Sequence, residues 1–178
     1  MGDRLTDESQ SRRFQEIALP HIDAAYNLAR WLARNDDDAQ DIVQEAYLRA
    51  FKSFAGFRGA SGRPWLLAIV RNTCYDWLRR HRSSEFSDTF DEELHSADQR
   101  PTPEDLLIER VDRLRLRDAL ETLPLLWREV LILREFEGLS YKEIADVAGI
   151  KVGTVMSRLA RARKQLLLVL GSGAKEND

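Results

Sequence analysis

Apolar residues recur at three- and four-residue intervals along most of the chain. Nowhere do they alternate with polar ones between glycine-rich hairpin turns, so the sequence predicts an all-α protein. A first helix is expected over roughly Glu8 to Leu19, with Pro20 opening or kinking a second that runs to about Arg34. Asn35 to Asp38 reads as a turn whose carboxylates cap a helix from about Asp38 to Ser53. On that helix Ile42, Val43, Ala46, Ala50 and Phe51 form the stripe expected to be buried, and Asp41, Gln44, Glu45 and Leu48 share the opposite face. Phe54 to Arg63, with Gly56, Gly59 and Gly62, reads as loop, and Pro64 suits the first turn of a long helix reaching about Arg82.

From Ser83 to Pro103 apolar residues thin out among Ser, Asp, Glu and two prolines, which predicts a flexible linker. Beyond it Leu106, Leu107, Val111, Leu114 and Leu120 mark an amphipathic helix over Glu104 to Glu121. Thr122 and Pro124 start another, ended by Gly138. Ser140 and Glu143 then form a capping box for a short helix, Tyr141 to Ala148, and a turn at Gly149-Ile150 leads into a last helix over about Val152 to Leu168. The expected organisation is therefore two small helical domains, residues 1–82 and 113–178, joined by a linker over 83–112.

Charge sharpens this division. The net charge of −3 hides an uneven spread: residues 1–82 carry 13 basic and 11 acidic groups, 83–112 carry 2 and 10, and 113–178 carry 12 and 9. Two mildly basic blocks flank a strongly acidic segment. Other chemistry is sparse. A single cysteine, Cys74, and three scattered histidines leave no disulfide and suggest no metal site, and no nucleophile motif or phosphate-binding glycine loop is present. No enzyme activity and no cofactor are expected. The longest apolar runs fall far short of the roughly 20 residues of a membrane span, and the amino terminus does not resemble a secretory signal, so a cytoplasmic protein without membrane insertion is expected.

Two short helices joined by a glycine turn are the helix-turn-helix pattern, whose second helix enters the major groove. From Lys151 to Lys164 that helix carries five basic residues and no acid. Val155, Leu159, Ala162 and Leu166 should face the core, leaving Thr154, Ser157, Arg158 and Arg161 for DNA, with Gly153 permitting close approach to phosphate. The segments Gly138-Leu139-Ser140-Tyr141-Lys142-Glu143-Ile144-Ala145 and Val152 to Arg163 resemble the −35-reading domain of extracytoplasmic-function (ECF) sigma factors of the sigma-70 family. The resemblance implies −35 contacts from Arg134, Lys151, Gly153, Thr154, Met156, Ser157, Arg158 and Arg161. Relatives usually carry a basic residue where Met156 stands, and often His or an aromatic at Ala160, so their −35 sequence does not carry over.

The first half separates this family from the alternative reading, a helix-turn-helix repressor that dimerises, or a response-type regulator, that never meets polymerase. Asp38 to Phe51 resembles the family's segment that docks on the clamp coiled coil of core RNA polymerase, which implies Asp38, Asp41, Gln44, Glu45 and Leu48 as docking residues. An exposed leucine among carboxylates suits a basic partner surface. Phe57-Arg58-Gly59, Trp65-Leu66 and Val70-Arg71-Asn72-Thr73 resemble the −10-reading region, where a loop captures a flipped base and a helix reads its neighbours. Phe57, Arg58, Gly59, Arg63, Arg71, Asn72, Tyr75 and Arg79 are the residues so implied, and arginines interleaved with aromatics suit single-stranded DNA. Trp65 and Trp77 are expected to pack. The resemblance further implies an acidic linker that threads polymerase's basic RNA channel, duplex −35 and single-stranded −10 DNA as ligands, and an anti-sigma factor as partner.

Overall fold

The computed structural model describes residues 2–59, 61–82 and 113–173, and among them every regular element is helical. The linker and the start of the helix expected from Glu104 lie outside the described residues. The amino-terminal half contains α1 (Gly2–Ala18), α2 (Ile22–Ala33), α3 (Asp36–Ser53) and α4 (Gly62–Arg82). Short 3-10 turns, Leu19–His21 and Phe54–Gly56, join α1 to α2 and follow α3. Pro20 sits in the first of these, so α2 starts beyond it instead of being kinked by it.

α3 begins two residues earlier than expected. The Asn35 side chain accepts the Asp38 N–H at 3.0 Å, so Asn35 is the cap and three aspartates fill the first turn, where the helix dipole favours them. Leu28, Leu32, Ile42, Ala46, Leu66, Leu67 and Val70 are buried where α2, α3 and α4 meet. Phe51, by its spacing a core residue, is instead 38% exposed: its ring meets Phe14 edge-on at 5.2 Å, and α1 covers only one side of it.

Gly62 stands where α4 meets the end of α1. A Cβ there would run into Ile17 Cγ2 and lie 3.0 Å from the Ile17 carbonyl oxygen. Gly62→Ala is therefore expected to lower the unfolding free energy by about 1–3 kcal/mol, read from the midpoint of urea denaturation. An unchanged midpoint would mean that α1 gives way freely.

The carboxyl-terminal half contains α5 (113–121), α6 (Leu125–Leu131), α7 (Tyr141–Ala148) and α8 (Val152–Gly173). Leu114, expected on the apolar face of its helix, is exposed, whereas Ala119, Leu120 and Leu123 are buried. α6 runs without a break into a π turn, Ile132–Phe136, in which the Glu137 N–H bonds to the Ile132 carbonyl at 3.1 Å. Gly138, at φ +65°, ends it in a conformation that suits glycine. α8 extends past the expected Leu168, and its Leu166 is half-buried. The halves do not stand apart: their buried side chains form one continuous cluster, and α2 and α4 pack on α6, the π turn and α7.

Candidate protein and nucleic-acid interfaces

On the outer side of α3, Asp41, Gln44 and Leu48 are exposed, Leu48 by 59%, and Asp38 and Glu45 are half-buried. They do not form an isolated patch. Asp41, Gln44 and Leu48 line one wall of an open groove of about 860 Å³ whose floor and far wall include Phe14, Ile22, Tyr26, Tyr47 and Phe51. Ile22, Tyr26 and Phe51 carry no local signal of this role, because apolar residues at helical spacing read first as core. The apolar floor is fixed from below by the Tyr47 hydroxyl, which donates to the Ala18 carbonyl at 2.8 Å; burial raises its pKa to about 12, so it remains a donor.

Behind this face of α3 a charged lattice ties the helix to α4. Arg49 spans Glu45 at 2.5 Å and Asp76 at 2.8 Å, and Arg79 and Arg80 complete it. Arg49 beside Asp76 holds that carboxyl below its ordinary pKa. Burial would raise Glu45, but bonds from Arg49 and Arg80 hold it low as well. The lattice orients Glu45 and Arg79 and, being largely solvent-exposed, adds little to stability.

The loop between α3 and α4 is built on aromatic packing. Phe57 is buried, stacked on Phe54 at 5.9 Å and tilted against Trp65 at 4.6 Å, so its ring supports the loop from beneath. A Cβ at Gly59 would come within 2.8 Å of that ring, which explains glycine there. Arg58 and Gly59 are exposed above it, and Arg58 donates to the Ala55 carbonyl at 2.7 Å. On α4, Asn72 and Arg79 face solvent. Trp77 packs as expected, stacked on His81 at 3.9 Å. Cys74 is buried, and its thiol is pushed up to about 12, chiefly by burial.

Arg63, Arg71 and Tyr75 point instead toward the carboxyl-terminal half. Arg71 Nε donates to one oxygen of Glu129 and the Tyr75 hydroxyl donates to the other at 3.0 Å, while the Arg71 guanidinium lies 4.3 Å from the Tyr75 ring centre. Glu129 is fully buried. Burial, then Glu129, raises the Tyr75 pKa. Arg63 bonds Glu137 at 2.6 Å, and the other oxygen of Glu137 takes the Asn27 amide at 2.5 Å. Nothing in the sequence distinguishes these two glutamates from ordinary helix acids.

The helix-turn-helix is built as expected. Ser140 and Glu143 exchange both bonds of the capping box, at 3.2 and 2.8 Å, and Gly149 turns the chain at φ +66°. Backbone and side-chain bonds to Ser140 hold the Glu143 carboxyl below its ordinary pKa, so this support is present above the unfolded pKa and is lost as pH falls through the folded one. Ser140→Ala should cost about 1 kcal/mol, seen as a lower thermal midpoint, and the difference from the unaltered protein should narrow in acid. On α8, Lys151, Gly153, Met156, Ser157 and Arg161 are exposed, Thr154 is half-buried, and Val155, Leu159 and Ala162 are buried. Arg158 is half-buried, with Nη1 buried and unpartnered. Arg134 is engaged locally, donating to the Leu139 carbonyl at 2.8 Å and lying over the Tyr141 ring.

Comparison with known proteins places these surfaces in context. Residues 18–84 match the family model described as Sigma-70 region 2, and residues 113–166 match that described as Sigma-70, region 4. The chain is 33% identical over 177 residues to the ECF RNA polymerase sigma factor SigE of Mycolicibacterium smegmatis, covering 98% of this chain and 68% of that protein. It is also 33% identical to the ECF RNA polymerase sigma-E factor of Escherichia coli, covering 93% and 95%. Among solved structures it resembles the sigma factor RpoE of Bartonella quintana in complex with the anti-sigma factor NepR, with TM-score 0.75, 30% identity and 90% and 98% of the two chains covered. CnrH in complex with the cytosolic domain of CnrY gives TM-score 0.65 at 26% identity, covering 91% and 90%.

Proposed function

Since the chain belongs to the sigma-70 family of RNA polymerase sigma factors, in the ECF group, and so recognises promoters with core polymerase, we propose how its surfaces divide that work. The α3 face and its groove dock on the polymerase clamp: Leu48 supplies the apolar anchor, and Asp38, Asp41, Gln44 and Glu45 supply a rim that selects a basic partner. The exposed leucine beside an apolar groove is the observation that carries this assignment.

The loop and α4 read the −10 element. Arg58 and Gly59 present the loop's rim, with Phe57 propping it from below; Asn72 offers an amide that both donates and accepts, and Arg63, Arg71, Tyr75 and Arg79 track and stack the melted strand. The amino-terminal end of α8 reads duplex −35 DNA through Lys151, Gly153, Thr154, Ser157, Arg158 and Arg161. Met156, 54% exposed where relatives usually carry a cation, suits contact with a thymine methyl group. Arg134 acts by holding the turn before α7. The acidic segment 83–112 suits polymerase's RNA channel by its charge. No bond is made or broken by this protein. It works in the cytoplasm beside polymerase, and an anti-sigma protein restrains it, as the anti-sigma factor NepR is found on RpoE.

Run-off transcription with purified core enzyme on genomic fragments tests the reading. Start sites sharing one pair of upstream elements are expected. Failure of the purified chain to bind core enzyme at micromolar concentration would overturn it.

A further inference from the structure

The loop between α3 and α4 lies in a stretch of chain without carboxylates. From Ala46 to Tyr75 there is no acidic residue, against five basic ones, Arg49, Lys52, Arg58, Arg63 and Arg71. Such a stretch attracts the phosphates of a strand. One neighbour of the loop comes from outside it. α1 runs alongside: Ile17 fills the space that a side chain at Gly62 would need, and Phe14 meets the Phe54 ring edge-on at 5.3 Å. One turn before Ile17, on the same flank of α1, stands Arg13, exposed, with its guanidinium over Phe54 at 5.7 Å from the ring centre. Phe54 in turn stacks on Phe57, the ring beneath Gly59, so two ring contacts join Arg13 to the floor of the loop. Contact with a ring occupies none of a guanidinium's N–H donors. Among the described residues no carboxylate pairs with Arg13. Arg12, also exposed, lies on the far side of the helix from the buried Phe14 and Ala18.

We propose that Arg13 of α1 is a further contact of the melted strand, binding a backbone phosphate next to the base that the loop captures. The inference rests on the assignment of the loop to the −10 element, and it extends that element to a residue before 18–84, the stretch matching Sigma-70 region 2. Extruding a base costs stacking and pairing energy. A cation on the adjacent phosphate offsets part of that cost without reading sequence. The choice of base stays with the loop and Asn72, and Arg13 sets how firmly the opened strand is held. Phe54, itself buried, keeps the guanidinium beside the loop before the strand arrives, so little freedom is lost when it binds.

The test uses holoenzyme reconstituted from core enzyme and the full chain. It is titrated, over a series of salt concentrations, with a labelled promoter fragment from a mapped start site whose −10 segment is left unpaired. Arg13→Gln should weaken binding about fivefold and lower the slope of log affinity against log salt by about 0.7, the value for one phosphate of a single strand. Arg13→Lys keeps the charge and should keep the slope, and Arg12→Gln should change neither quantity. Fragments with single phosphates replaced by uncharged methylphosphonates locate the contact. At one linkage of the unpaired segment the unaltered protein should lose affinity and the Arg13→Gln protein lose none further. A purely structural role through Phe54 would weaken binding without moving the slope or the response to that linkage. A slope unchanged by Arg13→Gln, an equal loss in both proteins at every linkage, or a slope lowered as much by Arg12→Gln overturns the contact. If Arg58→Gln and Asn72→Ala leave binding of the unpaired fragment unchanged, the −10 assignment of the loop falls and this contact with it. If either weakens binding while Arg13→Gln does not, the α1 contact alone falls.

Discussion

Leu48→Asp should all but remove the protein from core RNA polymerase. The side chain stands 59% exposed at the lip of the apolar groove, the position of a central anchor, and the substitution adds a carboxylate that must be desolvated against an apolar contact. A loss of at least ~2 kcal/mol, about 30-fold in Kd, is expected by titration of labelled protein with core enzyme. Folding should be untouched, since the residue contributes nothing to the buried core. A change of affinity below about threefold would remove Leu48 from the interface and return the docking assignment to the charged residues alone.

Leu159→Ala carries the second large effect, on stability. Leu159 is almost wholly buried in α8, which packs on α6 and α7. Removing its side chain leaves a cavity worth about 2–5 kcal/mol in a small domain with little reserve. The thermal transition should fall, and duplex −35 binding should fail before single-strand binding does. Loss of both together in one sharp transition would instead show that the two halves unfold as a single unit.

Much of this architecture is legible in the chain because helices announce themselves through spacing and caps. Ser140 and Glu143 specify the start of α7, and Gly138 and Gly149 take up the positive-φ turns that their sequence positions suggest. Differences gather where a residue has equivalent neighbours or where burial depends on distant elements. Asn35 and the three aspartates after it are all competent caps, so composition does not fix the start of α3. Phe51 and Leu114 have the spacing of core residues, but α1 covers only one side of the first, and the second lies on an exposed stretch of α5. The outer face of α3 is recognisable by its odd leucine, while the groove beside it is not, because its other wall comes from α1 and α2. Least legible are Glu129 and Glu137. A glutamate in a helix is by default a solvated residue, and only the approach of α4, far away in sequence, reveals that these two are buried.

The π turn at Ile132–Phe136 takes up a surplus residue without passing it on to the helices that follow. Hydrogen bonds that reach back five residues accommodate one residue more than an α-helix needs. Excising a single residue there would let the ladder relax to its ordinary register and leave the helices downstream facing as they do now. Phe136 and Glu137 would keep their places against Trp31, Asn27 and Arg63. A one-residue deletion, which in a regular helix turns everything beyond it by about 100°, would thus be absorbed at this one place with the packing between the halves intact.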